Sequence, residues 1–565
     1  MRRKKRRVKY YRRIKSGKVY RHPWIGYSYR NKNGTPDFKR EISLVGIDDQ
    51  QVKAIEWALR GGDEKVVSDQ FKFLGSQNIG ASWTAHCIAA DLGILNELER
   101  FEDKYQSALT AMILDRVISS LPHSKLGLWE ALPESGLQRV VLPEGTQAEL
   151  HDFYKALEKI HEKQNDIQKS LFGRRQTVDR MFLYDITSSY FEGTGCPLSM
   201  FGYNRDGKKG KMQIVIGLLT ASDGRPIAVE VFAGNTSDQT TVMERIDAMR
   251  TDFGINEMIF IGDRGMITKA RRNDLEAEEY SKVKYISALT RKEFHQFLED
   301  QSHPIQLGIF DRTKLVEVVN EGVRYVLSFN PEKEEEDRQT RLRLIEKTKA
   351  KLDMIKRNVT GGRWKRSKVI AKRLFSWVNK WGMERFFNCE YDDGKFTFEL
   401  DEDLLKSYEA IDGFYVITTD VVEQEMPTSQ IRDRYKSLSQ VEQAFRALKT
   451  TDLFMRPIRH WNPQRVKGHI FVCMLSYLIV WKARKLFSEF ITHEQVPDDI
   501  KPDDECHSLR VLWERLDRWV QIGKFRIGGK ISEQINALPA KARLVLKAAN
   551  ALPTPKRIGR LKLVG

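Results

Sequence analysis

The succession of strand-like and helix-like segments between residues 180 and 290 most constrains the fold of this chain. Short apolar runs typical of strands alternate there with helix-like periodicity. Such an order is typical of a mixed sheet flanked by helices, so the sequence predicts an α/β domain. The strand candidates are 181–184, 212–220, 226–232, 258–261 and 284–289, and the clearest helix candidate is 239–253.

Two of these strands end in an aspartate followed by a turn. Asp185 follows the run 181–184, and Asp263 follows the run 258–261 after a single glycine. Open α/β sheets place their sites at the carboxyl ends of neighbouring strands. A carboxylate beside the core needs compensation, and a divalent metal that prefers oxygen ligands, Mg²⁺ or Mn²⁺, would provide it. The alternative is that each aspartate caps the turn after it.

A long amphipathic helix is predicted over about 428–450, and it carries a third acid. Glu442 lies at the edge of its apolar stripe, and Tyr435 and Lys449 lie seven residues to either side, on one helical face. Arg446, one turn from Glu442, is interpreted as its salt-bridge partner. A hydroxyl and a cation flanking a carboxylate suit a site that holds metals and grips a phosphate. The alternative is an ordinary charged rim. The stripe consists of Ile431, Tyr435, Leu438, Val441, Phe445 and Leu448.

Positive charge is concentrated at the N-terminus. Residues 1–40 contain sixteen Lys and Arg against one acid, which gives +15 of the total of +18. Aromatic residues are interleaved with these cations, and cations with stacking rings suit nucleic acid better than a merely solvated tail. Residues 18–43 predict a hairpin that turns at Asn33-Gly34. The first candidates for DNA contact are Arg2, Arg3, Lys4, Lys5, Arg6 and Arg7.

The remaining segments predict several domains. Residues 85–94 indicate either a helix-turn-helix corner or an ordinary helical hairpin. The basic stretch 347–373 is either a second polyanion contact or a charged helix face. We expect a basic aromatic-rich arm or hairpin (1–48), a helical DNA-binding region (49–175), a catalytic α/β domain in two parts (176–290 and 427–490), an inserted, mostly β domain between them (291–426) and a helical C-terminal region (491–565).

Several observations bear on location. The longest apolar stretch, 470–481, is shorter than a bilayer requires and predicts a buried helix, so no membrane partner is expected. A secretory signal has an apolar segment after its charged N-terminus, and no such segment follows the charged N-terminus here, so no secretory signal is expected. Five scattered cysteines predict neither a disulfide framework nor a zinc knuckle. We therefore expect a cytoplasmic protein.

The three acids and their surroundings resemble the DDE transposases of bacterial insertion sequences. Within that family the chain is similar to the group with a signature of Tyr, two residues, Arg, three residues, Glu, six residues and Lys around the third acid. Tyr435, Glu442 and Lys449 match this signature, and Leu438 stands at the arginine position. The matching segments around the two aspartates are Tyr-Asp-Ile-Thr at 184–187 and Gly-Asp-Arg-Gly at 262–265, and Gly-Asn-Thr-Ser-Asp at 234–238 is also similar.

The resemblance implies an RNase H-like catalytic domain in which Asp185, Asp263 and Glu442 hold two Mg²⁺ ions, with Mn²⁺ as a substitute. It also implies that Tyr435 and Lys449 position DNA phosphates, and Arg446 is a further candidate. The expected partners are double-stranded DNA with terminal inverted repeats and a second copy of the chain in a synaptic complex, in the bacterial cytoplasm.

This chain departs from the signature at the arginine position, where Leu438 removes one of the implied phosphate contacts, because leucine makes no phosphate contact. Trp364, Trp377 and Trp381 are candidates for stacking on a flipped base, with a core role as the alternative. Two other functions stay open at this point: an RNase H-like, structure-specific nuclease, and a catalytically silent DNA-binding derivative.

Overall fold

The computed structural model divides the chain into two compact units. Unit 1 comprises Met1–Val178, Ile186–Thr236 and Gln440–Gly565, and unit 2 comprises Asp179–Asp185 and Ser237–Ser439. The residues that the structure describes are 6–15, 18–44, 47, 49–59, 71–141, 148–174, 180–203, 205, 207–208, 210–299, 315–378, 383–491, 507–527 and 530–553.

The chain alternates between strands and helices along most of its length. The strands are β1 (Arg6–Lys15), β2 (Lys18–Arg30), β3 (Pro36–Ser43), β4 (Phe71–Asn78), β5 (Met181–Tyr190), β6 (Gln213–Ala221), β7 (Pro226–Ala233), β8 (Met258–Gly262), β9 (Val283–Ala288), β10 (Val316–Asn320), β11 (Val323–Phe329), β12 (Phe387–Asp392), β13 (Lys395–Leu400), β14 (Phe414–Thr419), β15 (Gln521–Ile527) and β16 (Lys530–Ile535).

The helices fall mostly in three stretches, which lie before β5, between β7 and β14, and after β14. They are α1 (Asp49–Leu59), α2 (Gly80–Asp91), α3 (Ile94–Leu98), α4 (Asp103–Ile118), α5 (Lys125–Ala131), α6 (Gln138–Val141), α7 (Leu150–Glu162), α8 (Gln164–Gly173), α9 (Asp238–Phe253), α10 (Lys269–Leu275), α11 (Arg291–Glu299), α12 (Pro331–Thr360), α13 (Ser367–Val378), α14 (Glu402–Glu409), α15 (Thr428–Lys436), α16 (Ser439–Arg446), α17 (Pro463–Leu486), α18 (Leu509–Trp519) and α19 (Ala540–Ala548).

A large mixed sheet forms the centre of unit 2, as the sequence predicted. The order is β10-β11-β14-β9-β8-β5. β5, β8 and β9 run parallel, whereas β14, β11 and β10 follow in antiparallel pairs. All five residues of β8 are buried, which is the burial expected of a parallel strand covered on both faces.

The region 291–426 was expected to be an inserted, mostly β domain, and that expectation is wrong in its secondary structure. Three of its strands, β10, β11 and β14, extend the sheet of unit 2. Among the described residues more of this region lies in helices than in strands, because the charged segment forms a 30-residue helix, α12. Its glutamate, lysine, arginine and leucine residues are good helix formers. Only β12 and β13 form a separate hairpin.

Helices dominate unit 1, and α17 is its central element. Residues 470–481 of α17 are all buried, which confirms the buried helix predicted there. By length and composition α17 is the one helix in the described part of the chain that could also cross a membrane, and 89% of its most apolar window is buried inside the protein. Gly468 allows this packing, because a Cβ there would lie 1.9 Å from the backbone oxygen of Leu157 on α7.

Residues 6–43 form a three-stranded antiparallel sheet. The predicted hairpin is present as β2 and β3, and Gly34 in its turn has a φ of +73°. β1, which was not predicted, pairs with β2 over its whole length. Val8 and Ile25 pack with residues of α1 into a small core. The basic segment therefore belongs to a folded sheet from Arg6 onward.

A second small sheet corrects the expectation of purely helical regions at 49–175 and 491–565. β15 pairs with β16 and with β4, so one sheet joins the two regions. At residues 85–94 the structure has the corner of a helical hairpin, where Gly93 has a φ of +79°. α3 has only five residues and α2 is mostly buried. The ordinary helical hairpin is therefore the correct alternative there.

Candidate active site

The two aspartates of the sequence motifs lie at the same level of neighbouring parallel strands, Asp185 within β5 and Asp263 directly after β8. β5 and β8 pair in the register Met181↔Ile259 to Tyr184↔Gly262. The next residues along the two strands are Asp185 and Asp263. Neighbouring strands in a sheet lie about 4.8 Å apart, and residues in register point to the same face. The backbone positions of Asp185 and Asp263 are therefore neighbours at the carboxyl end of β8, one residue beyond the last paired residues, Tyr184 and Gly262.

The ends of the two strands differ in local structure. β8 stops at Gly262, and Asp263 opens a tight turn closed by a hydrogen bond from Met266 N to Asp263 O of 3.1 Å. Gly265 in this turn has a φ of +82°, which favours glycine. β5 instead continues past Asp185 to Tyr190. Asp185 is half-buried between fully buried neighbours, and Asp263 is exposed.

Tyr435 on α15 holds the second aspartate. Its hydroxyl donates a hydrogen bond to Oδ1 of Asp263 at 3.2 Å, and the backbone N–H of Arg264 donates to the same oxygen at 2.7 Å. Burial, followed by the negative charge of Asp263, raises the pKa of Tyr435 well above its usual value. The tyrosine therefore stays protonated and acts as a donor to the carboxylate. The sequence had suggested a role for it on phosphate.

Glu442 lies on a helix that is interrupted. The single helix expected over 428–450 is wrong, because α15 ends at Lys436 and α16 begins at Ser439. Leu438, at the arginine position of the signature, sits in this break and is 8% exposed. Glu442 is in the first turn of α16 with its side chain exposed, while Val441 and Phe445 are buried. The apolar stripe predicted for this segment is thus present, although the helix is broken.

Lys449 contacts the strand that carries the first aspartate. α16 passes into a π-helical turn, Ala447–Thr451, a feature that often marks functional positions. From this turn, Nζ of Lys449 donates to Oγ1 of Thr187 at 2.6 Å. Thr187 is two residues beyond Asp185 on β5. Thr187 belongs to the segment Tyr-Asp-Ile-Thr at 184–187, whose pattern predicted a role for the aspartate alone. Arg446, at the end of α16, is exposed.

The basic N-terminal candidates are only partly within the described residues. Arg2, Arg3, Lys4 and Lys5 lie outside them. Arg6 forms an ion pair with Glu41 at 2.6 Å, and the Arg7 guanidinium lies 5.7 Å from the centroid of the Phe38 ring. Both arginines thus have partners on β3, which is separated from their own strand by β2. A role in DNA contact stays a prediction for all six residues.

Two of the three candidate tryptophans pack against each other. The rings of Trp364 and Trp377 meet edge to face with centroids 5.6 Å apart. The guanidinium of Arg373 lies within 6 Å of both rings, and both tryptophans pack on the core of unit 2. This is the core role that the sequence gave as the alternative. Trp381 lies outside the described residues.

The pair of aspartates fits a divalent cation in its chemistry. Carboxylate oxygens are the ligands that Mg²⁺ prefers. The two hydrogen bonds to the side-chain carboxylate of Asp263 both end on Oδ1, so Oδ2 accepts none from the described residues. In the part of the chain that the structure describes, no group of three or more His, Cys, Asp or Glu side chains is arranged to hold a metal ion. The aspartate pair alone supplies two carboxylates of a potential metal site.

Comparison with known families identifies the kind of protein. Residues 177–479 match the model of the transposase DDE domain, which covers more than half of the 565 residues. The chain belongs to the DDE transposase family. The match spans both aspartates, Glu442 and Lys449 of this transposase.

Other comparisons are more distant. A search of curated proteins gave no match to this transposase. Among solved structures, one match is the cryo-EM structure of a piggyBac transposase synaptic complex with hairpin DNA. It is 10% identical, with 82% of this chain and 78% of that chain covered and a TM-score of 0.36.

Proposed function

We propose that this DDE transposase moves a bacterial insertion sequence: it binds the terminal inverted repeats of the element, cleaves DNA strands at its ends and joins them to new DNA. The observation that supports this most directly is the strand register that pairs Tyr184 with Gly262, the residues immediately before Asp185 and Asp263. An RNase H-like arrangement of the catalytic domain is part of the proposal.

Asp185, Asp263 and Glu442 are the proposed catalytic residues, and together they would hold two Mg²⁺ ions, for which Mn²⁺ could substitute. When bound, two such metals stabilise the charges that develop on the attacking and leaving oxygens of a phosphodiester. The hydrogen bond from Tyr435 fixes the orientation of the Asp263 carboxylate. Because Tyr435 stays protonated, it leaves Oδ2 of Asp263 as the oxygen for a metal. No covalent enzyme–DNA bond is required by this chemistry.

Binding of the DNA ends is assigned to cations. Lys449 extends from the π-helical turn to Thr187 on β5, two residues beyond Asp185. At that position its ammonium group can neutralise a DNA phosphate. Arg446 and the basic strand that includes Arg6 and Arg7 would hold more distant phosphates. Two ends must be held together for transfer, so the active species would be a homodimer. The bacterial cytoplasm is the proposed location.

Single substitutions at the three acids test the proposal. The full-length protein is incubated with a supercoiled plasmid that carries the genomic segment around its own gene, with Mg²⁺ or with EDTA. Asp185→Asn, Asp263→Asn and Glu442→Gln should each remove cleavage, because each deletes a charge needed to hold metal. DNA affinity measured in EDTA should change little. Glu257→Gln is the matched control, since Glu257 is an exposed acid of unit 2 paired with Arg180 at 2.8 Å.

The same experiment separates the alternatives. Cuts mapped to the ends of inverted repeats support a transposase, whereas cuts at branched or random positions indicate a nuclease. Binding without any cleavage by the unmodified protein indicates a silent derivative. Full activity of Glu442→Gln would remove this residue from the proposed site while leaving the two aspartates in it.

A further inference from the structure

Unit 1 exposes four large apolar side chains on two neighbouring loops. Tyr203 is 82% exposed, Trp461 73%, Phe201 64% and Met200 40%. We call these four residues the ring surface. Scattered exposed apolar residues are normal, but several on adjoining loops indicate a binding surface. The first loop joins β5 to β6, and the second leads into α17.

The first loop is held by its backbone while its side chains are exposed. Met200 forms an antiparallel bridge with Gln213. The buried amide of Gln213 donates to Tyr203 O at 3.0 Å and to Gly234 O at 2.8 Å. The backbone N–H of Arg205 donates to Oγ of Ser188 on β5 at 3.0 Å. The loop is therefore anchored on both sides of the exposed rings, and it presents them from a fixed backbone.

The second loop meets the first at Trp461. The indole ring lies against Gly195, where a Cβ would sit 3.5 Å from the ring. The backbones of the two loops are also joined directly, since Phe191 and Ile458 form a parallel bridge and Glu192 N donates to Ile458 O at 3.0 Å. One side of the indole is thus supported by backbone, and most of its area faces solvent.

The charge around these rings is positive. Residues 191–212 contain four Lys and Arg against two acids, and residues 453–467 contain four and no acid, although one of these four, Arg465, is paired with Glu158 of α7 at 2.8 Å. Glu192, one of the two acids, is paired with Lys211 at 2.8 Å. The guanidinium of Arg205 lies 5.7 Å from the centroid of the Tyr203 ring. Exposed rings on loops that also carry cations match the two chemical features of a nucleic-acid strand, flat bases and phosphates.

We propose that the ring surface binds a DNA segment with unpaired bases, which stack on Tyr203 and Trp461 while the surrounding cations hold the phosphates. A fully paired duplex hides the faces of its bases and offers mainly phosphates to a protein. Cations alone would suffice for that contact, and the exposed rings would then add little. This inference rests on the proposed function in one respect, that DNA is the polymer on which the chain acts.

Binding measured without metal tests this inference apart from cleavage. The full-length protein is titrated in EDTA with a labelled blunt duplex and with the same duplex bearing a short single-stranded tail. Tyr203→Ala/Trp461→Ala should weaken binding of the tailed DNA by about tenfold or more, since stacking contributes about 1–3 kcal/mol per base. Tyr203→Phe/Trp461→Phe keeps the rings and should keep the affinity. Binding of the blunt duplex should be nearly the same for all variants.

Leu121→Ala is the matched control, because Leu121 is an apolar side chain of unit 1 that is 72% exposed. Unchanged binding of tailed DNA by the double alanine variant, or an equal loss on blunt and tailed DNA, would overturn the inference. So would a shift of that variant from dimer to monomer in sedimentation, which would make the ring surface an interface between two copies. Tail preference without any cleavage by the unmodified protein would leave the inference standing and remove only the proposed function.

Discussion

Two groups of ionisable residues in this transposase are built in opposite ways. In unit 2, Asp185 lies within β5 and is half-buried, and Asp263 directly follows the neighbouring strand β8 and is exposed. In unit 1, Asp115, Lys125 and His469 are 2%, 8% and 4% exposed. Charged groups that are accessible to solvent can bind a metal or a phosphate, whereas buried ones must find their partners within the protein and so contribute to its stability. The contrast separates acids proposed for chemistry from those that serve stability.

The enclosed acid is saturated with protein donors. Oδ1 of Asp115 accepts from Ser119 Oγ at 2.6 Å and from His123 Nδ1 at 2.8 Å, and Oδ2 accepts from the His123 backbone N–H at 2.9 Å. The hydrogen bond with Asp115 raises the pKa of His123. This carboxylate joins the end of α4 to the chain that leads into α5.

The enclosed base is held in a hydrogen-bonded chain. Nζ of Lys125 lies 3.0 Å from Nδ1 of His469, whose Nε2 lies 3.2 Å from Met455 O. Nδ1 is the acceptor from lysine, so Nε2 carries the proton and donates to the carbonyl. Burial, then the nearby Arg116 charge, lowers the pKa of Lys125 to about 7, and burial holds the pKa of His469 well below its usual value.

The largest expected effect compares two aspartates directly. Asp185→Asn should reduce the Mg²⁺-dependent cleavage rate by about 10³-fold, or about 4 kcal/mol of activation free energy, with little change in melting temperature. Asp115→Asn should lower the melting temperature and leave the cleavage rate of the folded protein nearly unchanged, because it weakens three hydrogen bonds of a buried group. Single-turnover cleavage and thermal melting measure the two effects. Equal losses of activity in both variants, after correction for folded fraction, would abolish the distinction.

A charge introduced at the buried position 438 of unit 2 should lower the free energy of unfolding. Leu438→Arg restores the signature residue but buries a guanidinium in the break between α15 and α16. We expect a loss of about 3 kcal/mol in the free energy of unfolding, measured in urea. Leu438→Met, which keeps an apolar side chain of similar volume, should cost about 1 kcal/mol or less. If the arginine variant is as stable as the original and binds DNA more tightly, position 438 faces the DNA after all.

The enclosed lysine should make stability depend on pH. The pKa of Lys125 is about 7 in the folded protein and 10.5 for an unperturbed lysine. Between pH 7 and 10.5 the unfolded chain therefore binds more protons than the folded one. The free energy of unfolding should therefore rise with pH above 7, by about 2 kcal/mol from pH 7.5 to 9 for this one group. Lys125→Met should lose that rise in urea titrations. Lys53→Met, at an exposed lysine of α1, should keep it, and an unchanged slope in Lys125→Met would contradict the burial argument.

The smallest effect concerns the hydrogen bond from Tyr435 to Asp263. Tyr435→Phe should slow single-turnover cleavage about tenfold, the equivalent of about 1.4 kcal/mol, because the carboxylate loses one fixed orientation. DNA affinity in EDTA should stay constant. Tyr415→Phe on β14 is the control in the same sheet. A drop in DNA affinity without a change in rate would instead favour the phosphate role suggested by the sequence.

The strands of the candidate site could be predicted because they are buried. β5, β6, β7, β8 and β9 all appear near their expected positions, since strands covered on both faces form apolar runs that stand out from helices. The aspartates were found because a charge directly after such a run is unusual. Their matching register could not be predicted, because it depends on pairing between strands that are distant in sequence.

Elements stabilised mainly by pairing were missed. β1 is composed largely of basic residues, and β4 and β15 carry glycines and polar residues, so neither periodicity nor apolar content marks them. The enclosed Lys125 was missed for a related reason. A lysine in a helix is normally solvated, and only tertiary structure shows that α17 brings His469 beside it.

The π-helical turn at Ala447–Thr451 has a consequence for how the signature is read. A wider turn rotates the chain less per residue, so the seven positions from Glu442 to Lys449 no longer return the side chain to the same angular position on a cylinder. The number of residues between Glu442 and Lys449 fits the signature, but the π-helical turn changes the direction of the Lys449 side chain, whose ammonium group contacts Thr187. A homologue that lacks one residue here could form a regular α-helix and would then direct its lysine away from the threonine. The motif therefore requires a particular helix type at this turn as well as a particular spacing.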